Sequence, residues 1–233
     1  MAEDDDSFRK GLAAETRDDS AGALDYFLAA EKNDPQNAQL QNHIARRYSD
    51  LCDLQGKTAQ KKEYAQKALT HAERAVQLDP KNAEYVLWVG ISYGKMARVV
   101  DARTKIEYSR VIRQKAEEAI ALDPNYAQAH YVLGSWHYEI AKLSGASRFF
   151  AGLIYSKLPD GSNAVAIQEL KRATDLEPTN PAHWTKLGLA LSEGGQPKEA
   201  RKAWEKSIEL PGRSRFDREA QAEAKAALAQ AEK

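Results

Sequence analysis

The chain of 233 residues contains a single cysteine, Cys52, which excludes an internal disulfide and any zinc site built from cysteines alone. Its 34 basic residues are balanced by 34 acidic residues. A chain without net charge lacks the overall positive potential by which nucleic-acid-binding proteins attract phosphates. We therefore expect no nucleic-acid partner.

Long apolar runs are also missing. The longest uninterrupted candidate, from Phe149 to Tyr155, is far shorter than the roughly 20 residues of a membrane span. The first ten residues, MAEDDDSFRK, lack the basic start and apolar run of a signal peptide. We expect a soluble chain, with the compartment open between the cytoplasm and, if a signal peptide has been removed, the periplasm.

Catalytic motifs are absent from the sequence, which has no GxSxG, no HExxH and no glycine-rich phosphate loop. The five histidines are scattered, and only His130 and His137 fall on one helix face, two turns apart. Metal binding needs more converging ligands, and His137 stands where a buried aromatic is usual, so a packing role is favoured for it. We expect no enzyme active site, no metal site and no cofactor.

What the sequence does contain is an internal repeat. Four segments end alike, AAEKNDP, AVQLDP, AIALDP and ATDLEP, and a fifth, SIELP, ends at Pro211. Proline cannot continue a helix and disfavours the helical conformation of the residue before it. The interval from Pro178 to Pro211 is close to the ~34-residue tetratricopeptide period, and the earlier intervals are longer.

The last unit shows the repeat most clearly. Trp184, Leu187 and Gly188 match the first helix of a tetratricopeptide repeat, and Ala200 and Trp204 match the second. The glycine is expected where two helices cross closely. Gly90 and Gly134 occupy the same place in earlier units, whereas the unit from Ala38 has Ala45 there. Gly56 and Asp101 mark the predicted turns of the two lengthened middle pairs.

The prediction is an all-α, tetratricopeptide-like α-solenoid of about five helix-turn-helix units with an inserted helix. We expect a single domain over residues 1–233. It would comprise an N-terminal helix pair (1–35), four repeats with insertions (36–211) and a C-terminal capping helix (212–233).

A narrower match lies in the run from His130 to Ser144, HYVLGSWHYEIAKLS, followed by an insertion and AIQELKRATDLEP. Together with WVGISYGKMARV before it and LALSEGGQPKEARKAWEKSIELP after it, this layout resembles the regulator of microtubule dynamics family. The resemblance covers roughly Ala38 to Pro211. The chain departs from the family after the Leu-Ser, where GASRFF replaces WLEKK.

The resemblance implies microtubule association in animals and, for some members, organelle contacts and phospholipid binding. Similar domains occur in bacteria, and the alanine-rich and arginine-rich composition would suit such a source. A protein or peptide partner is expected, tubulin in a eukaryote, with anionic phospholipid as a further partner implied by the resemblance.

In tetratricopeptide arrays the first helices line a concave groove, which suits an extended peptide, a helix or a lipid chain. The alternative is that the same side chains only pack on neighbouring helices. By helical register, the residues predicted to face the groove are Leu87, Ile91, Lys95, Gln128, Tyr131, Ser135, Tyr138, Glu139, Thr185 and Leu189.

Two further surfaces are candidates. A basic patch could meet acidic tubulin tails or anionic headgroups, or could simply be a solvated helix face. It consists of Arg98, Arg103, Lys105, Arg110 and Arg113. The insertion has an apolar face at helical spacing, which either folds back over the groove or meets a membrane or partner. That face consists of Phe149, Phe150, Leu153 and Ile154.

Two functions follow from these features. The leading hypothesis is a non-catalytic scaffold that binds a polypeptide in the groove. The alternative is a phospholipid-binding or lipid-transfer module that uses the groove under the 145–160 insertion.

Overall fold

The computed structural model describes residues 6–143 and 159–231, and within these two ranges the chain forms eleven α-helices and no strand. The predicted all-α fold is therefore confirmed. The helices are α1 (Asp6–Glu15), α2 (Ser20–Glu31), α3 (Ala38–Leu54), α4 (Thr58–Leu78), α5 (Ala83–Ala97), α6 (Ala102–Leu122), α7 (Ala127–Ala141), α8 (Asn163–Leu176), α9 (Pro181–Glu193), α10 (Pro197–Glu209) and α11 (Arg215–Ala231).

The helix boundaries follow from a short motif, Pro-x-Asn, that occurs between several units. The proline ends one helix and the asparagine caps the next, because its side-chain oxygen accepts a backbone N–H of the first turn. Asn37 accepts from Leu40 at 2.9 Å, and Asn180 accepts from Ala182 at 3.1 Å. Asp101 caps α6 in the same way, as the predicted turn requires.

Two compact units make up the chain, Met1–Pro124 and Asn125–Lys233. Unit 1 holds the helix pairs α1–α2, α3–α4 and α5–α6, and unit 2 holds α7–α8 and α9–α10. The C-terminal helix α11 packs on α9 and α10, as a capping helix should. The single continuous domain stays a prediction.

Small residues let the two helices of a pair approach closely. In α4 the inward face is a row of alanines that are fully buried, namely Ala65, Ala68, Ala72 and Ala75. In unit 2 a Cβ added at Gly134 of α7 would come within 3.1 Å of the backbone of α8 at Ala166 and Leu170. The pairs are thus held at a spacing that larger side chains would not allow.

An ionic network fastens the first helix pair of unit 1 to α3. Glu15 of α1 lies 3.0 Å from His43 Nδ1 and 3.3 Å from Arg47 Nε, and Arg47 also pairs with Asp50 at 2.9 Å. Burial would raise the pKa of Glu15, but its contacts with His43 and Arg47 outweigh that effect and keep the pKa below its ordinary value. A buried network of this kind fixes orientation, and removing one partner would leave an uncompensated charge.

The histidines of unit 2 are buried, including His137, for which packing is predicted. His130 of α7 pairs with Glu169 of α8 at 2.6 Å, and His137 accepts from the backbone N–H of Ser162 at 3.3 Å. His183 is fully buried against the Tyr131 ring, with centroids 5.0 Å apart, and burial lowers its pKa. All three rings therefore fill space between helices.

The close approach at Gly134 gives a first prediction. Gly134→Ala should lower the free energy of unfolding by roughly 1–2 kcal/mol, because the new methyl must displace Leu170 or the backbone of α8 and this outweighs the gain in helix propensity. The matched control is Gly94→Ala in α5, whose nearest neighbour would be Ile112 Cδ1 at 3.8 Å. Chemical unfolding followed by circular dichroism measures both, and equal stability of the two variants would contradict this account.

Candidate functional site

The first helices of unit 2, α7 and α9, bring together the largest set of the predicted groove residues. Lys186 of α9 lies with its Nζ 3.4 Å from Glu139 Oε1 and 5.3 Å from the ring centroid of Tyr138. Lys142 Nζ lies 5.5 Å from the same centroid and donates to the phenol oxygen at 3.4 Å. We call Tyr131, Tyr138, Glu139, Lys142 and Lys186 the first-helix site of unit 2.

Both lysines of this site stay charged at neutral pH. Burial would lower the pKa of Lys186, but the nearby Tyr131, Glu139 and Glu223 outweigh it and hold the pKa above its ordinary value. A hydrogen bond to Tyr138 raises the pKa of Lys142. The site therefore offers one aromatic ring with two ammonium groups held against it, an arrangement stabilised by cation–π attraction.

Some predicted groove residues of unit 2 line this surface, and two do not. Gln128, Tyr131, Ser135 and Leu189 are half-buried and Glu139 is exposed. The expectation of an open position is wrong for Thr185, which is 1% exposed because α11 covers it, with Oγ1 3.0 Å from the Ala220 carbonyl.

The same expectation is wrong for the Tyr138 side chain, which is 4% exposed. Its ring packs into the core of unit 2, alongside Leu170 and Leu187. The two lysines described above also lie against this ring. A partner would therefore meet the lysines before it meets the ring.

In unit 1 the predicted groove residues lie on α5. Leu87 is 0% exposed, so the expectation that it faces an open groove is wrong, because this side chain is packed within the unit. Ile91 and Lys95 are half-buried. The ammonium of Lys95 is paired with Asp53 of α3, so it holds the two first helices together.

Sequence reasoning missed several residues that the fold brings to these surfaces. Arg46 of α3 lies over the ring of Trp88 in α5, 5.5 Å from its centroid, and Glu84 accepts from Arg46 at 3.1 Å. Lys142 could have been found, since it follows Tyr138 by one helical turn and so shares its face. Arg46 and Lys186 could not have been identified from the sequence, because their partners lie on other helices.

The basic patch is less positive than the sequence suggests. Arg98 pairs with Asp53 at 2.7 Å, so it belongs to the contact between α5 and α3. On α6, Arg103 lies 3.8 Å from Glu107 and Arg113 lies 2.7 Å from Glu117, both one turn away. Lys105 and Arg110 are exposed on the same helix. Arg103, Lys105 and Arg110 therefore remain exposed on α6, and Arg113 is half-buried.

The apolar face predicted for the insertion falls outside the described residues. It comprises Phe149, Phe150, Leu153 and Ile154. The inserted helix therefore stays a prediction.

The described ranges offer neither a metal-ion cluster nor a membrane-spanning helix. Residues 6–143 and 159–231 contain no group of three acidic, histidine or cysteine side chains placed to hold a metal ion. No helix in those ranges is long and apolar enough to cross a membrane.

The thiol of Cys52 is buried and donates to the Lys61 carbonyl at 3.3 Å. Burial raises the pKa of this thiol, which disfavours the reactive thiolate.

Solved structures resemble this fold. A thermophilic tetratricopeptide-repeat protein of Thermus thermophilus superposes with a TM-score of 0.70 over 97% of this chain and 100% of its own, at 20% identity. MamA of Desulfovibrio magneticus superposes with a TM-score of 0.53 over 88% of this chain and 96% of its own, at 17% sequence identity. At such identities the likeness shows the tetratricopeptide-like α-solenoid fold and nothing more, which confirms the predicted fold class.

Relatives by sequence are more specific. Regulator of microtubule dynamics protein 3 of Xenopus laevis is 29% identical over 168 residues, which is 64% of this chain and 36% of that relative. Regulator of microtubule dynamics protein 2 of Homo sapiens is 28% identical over 182 residues, which is 77% of this chain and 44% of that relative. The chain thus spans less than half the length of these curated relatives.

The family model described as regulator of microtubule dynamics protein 1-3 matches residues 6–232, nearly the whole chain. This match includes the repeat units and the capping helix together. The resemblance inferred from the HYVLGSWHYEIAKLS run is therefore confirmed, and the chain belongs to the regulator of microtubule dynamics family.

Proposed function

We propose that this chain is a non-catalytic protein-interaction scaffold that binds a polypeptide along its first helices. The observation that carries the proposal is the first-helix site of unit 2, where two charged lysines from neighbouring helices lie against the ring of Tyr138. Tyrosine is enriched at the energetic centres of protein interfaces, and the lysines add charge complementarity towards an acidic partner.

Both ammonium groups of the site already have partners within the chain. Glu139 holds the Lys186 ammonium and Tyr138 holds that of Lys142. Binding then loses less side-chain entropy than it would on a surface of free lysines. In unit 1 the Arg46–Trp88 contact offers a similar cation beside an aromatic ring on α3 and α5.

Tubulin is the partner that the family relationship favours, because the relatives are named regulators of microtubule dynamics. The basic residues of α6 are the surface best suited to acidic tubulin tails.

Anionic phospholipid is the rival ligand for the first helices. A native mass spectrum that shows phospholipid bound to the purified chain would favour that rival.

Removal of charged side chains from the first-helix site should weaken microtubule binding. We expect Glu139→Ala with Lys142→Ala to reduce co-sedimentation with microtubules assembled from purified tubulin by about fivefold, because Lys186 loses its anchor and Tyr138 loses a cation. Lys202→Ala with Glu205→Ala, a pair with the same residue types and spacing on α10, should bind like the unaltered chain. Equal losses in the two double variants would contradict the proposed site.

The basic residues of α6 have a separate test. At low salt, Arg103→Glu, Lys105→Glu and Arg110→Glu together should reduce co-sedimentation by about tenfold, because the reversed charges repel an acidic partner. The control is Arg201→Glu, Lys202→Glu and Lys206→Glu on α10, which changes net charge equally. If the α6 variant binds as well as the control, α6 does not contact tubulin.

A further inference from the structure

A polar pocket opens in unit 1 beside the C-terminal ends of α2 and α4. It has a volume of about 380 Å³, and the residues lining it are polar except for one proline. Glu31, the last residue of α2, forms one wall, and the last turns of α4 from Thr70 to Gln77 form another. No predicted groove residue lines this pocket.

The buried wall of the pocket is fixed by a hydrogen-bond chain. Gln41 is 2% exposed, and its amide nitrogen donates to Glu31 Oε1 at 2.8 Å and to the Pro35 carbonyl at 3.3 Å. Its amide oxygen lies 2.7 Å from His71 Nδ1. Because the nitrogen is committed to two acceptors, the oxygen must be the acceptor for His71, whose Nδ1 therefore carries the proton.

The protonation of His71 follows from these hydrogen bonds and from its burial. Burial lowers the pKa of His71, so the ring is neutral near pH 7 and its Nε2 atom is a hydrogen-bond acceptor. The ring is also stacked on Tyr48, with centroids 5.7 Å apart. Hydrogen bonds and ring stacking thus hold the side chains on the buried side of the pocket in place.

The charges of the pocket favour a cation. The carboxylates of Glu31 and Glu73 are opposed by one cation among the lining residues, Arg74. The guanidinium of Arg74 already donates to Gln36 at 2.6 Å and to Gln77 at 3.2 Å. Two helices end here and add partial negative charge, whereas α3 begins here and adds partial positive charge, so the excess of negative charge comes from the two carboxylates.

We propose that this pocket binds the arginine side chain of a partner polypeptide. A guanidinium is planar and has five N–H donors, so it can bond carboxylate and amide acceptors at once, which a lysine ammonium does less well. Arg74 shows that amide oxygens at this place accept a guanidinium. The pocket is separate from the first-helix site, and this proposal does not depend on it.

The test is a titration of the ¹⁵N-labelled full chain with N-acetyl-L-arginine amide, followed by amide chemical shifts. We expect saturable shifts at residues 31–41 and 70–77, with a dissociation constant of about 1 mM. N-acetyl-L-citrulline amide has the same shape without the charge and should give none. Absence of saturable shifts up to about 10 mM, or equal shifts with citrulline, would overturn the proposal.

Two variants on α4 locate the contact. Glu73→Gln, at an exposed pocket residue, should weaken binding about fivefold, whereas Glu63→Gln, which lies outside the pocket and pairs with Lys67, should not change it. An equal response in both variants would refute the site. Binding of free L-arginine about tenfold tighter than the capped residue would assign the pocket to the amino acid and overturn the polypeptide source.

Discussion

The close approach of the two helices within each pair is the constraint on which the rest of this structure depends. Second helices present small residues inward, such as the buried alanines of α4, and first helices meet them at glycine or alanine positions such as Gly134. Larger side chains such as Phe27, Leu40 and Leu170 fill the core between helices. At the surface Lys142 is exposed, and Trp88 and Lys186 are half-buried, so a partner can reach these three side chains.

Local signals made the fold predictable. The Pro-x-Asn motif specifies both the end of one helix and the cap of the next, and the glycine position specifies which face is close-packed. The binding surface was predicted only in part. Helical register gives the face of a residue but not what covers it, so Thr185 was misplaced because α11 packs over it. Lys186 was missed because its partners, Tyr138 and Glu139, lie on another helix.

The net charge of the chain is zero, but charged side chains are unevenly distributed over its surface. Several basic side chains form ion pairs within the fold, as Arg98 and Lys95 do with Asp53. Two places depart from this balance in opposite directions. The first-helix site of unit 2 holds two ammonium groups against one ring, whereas the pocket of unit 1 holds more acceptors and carboxylates than cations. A scaffold with such sites can distinguish partners by charge as well as by shape.

If the first helices are the binding surface, a docked partner should slow the opening of the helices it covers. Hydrogen–deuterium exchange of the chain, free and bound to microtubules, measures this opening. We expect slower exchange in α7 and α9 on binding, with α8 and α10 unchanged. Slower exchange confined to α8 and α10 would contradict it.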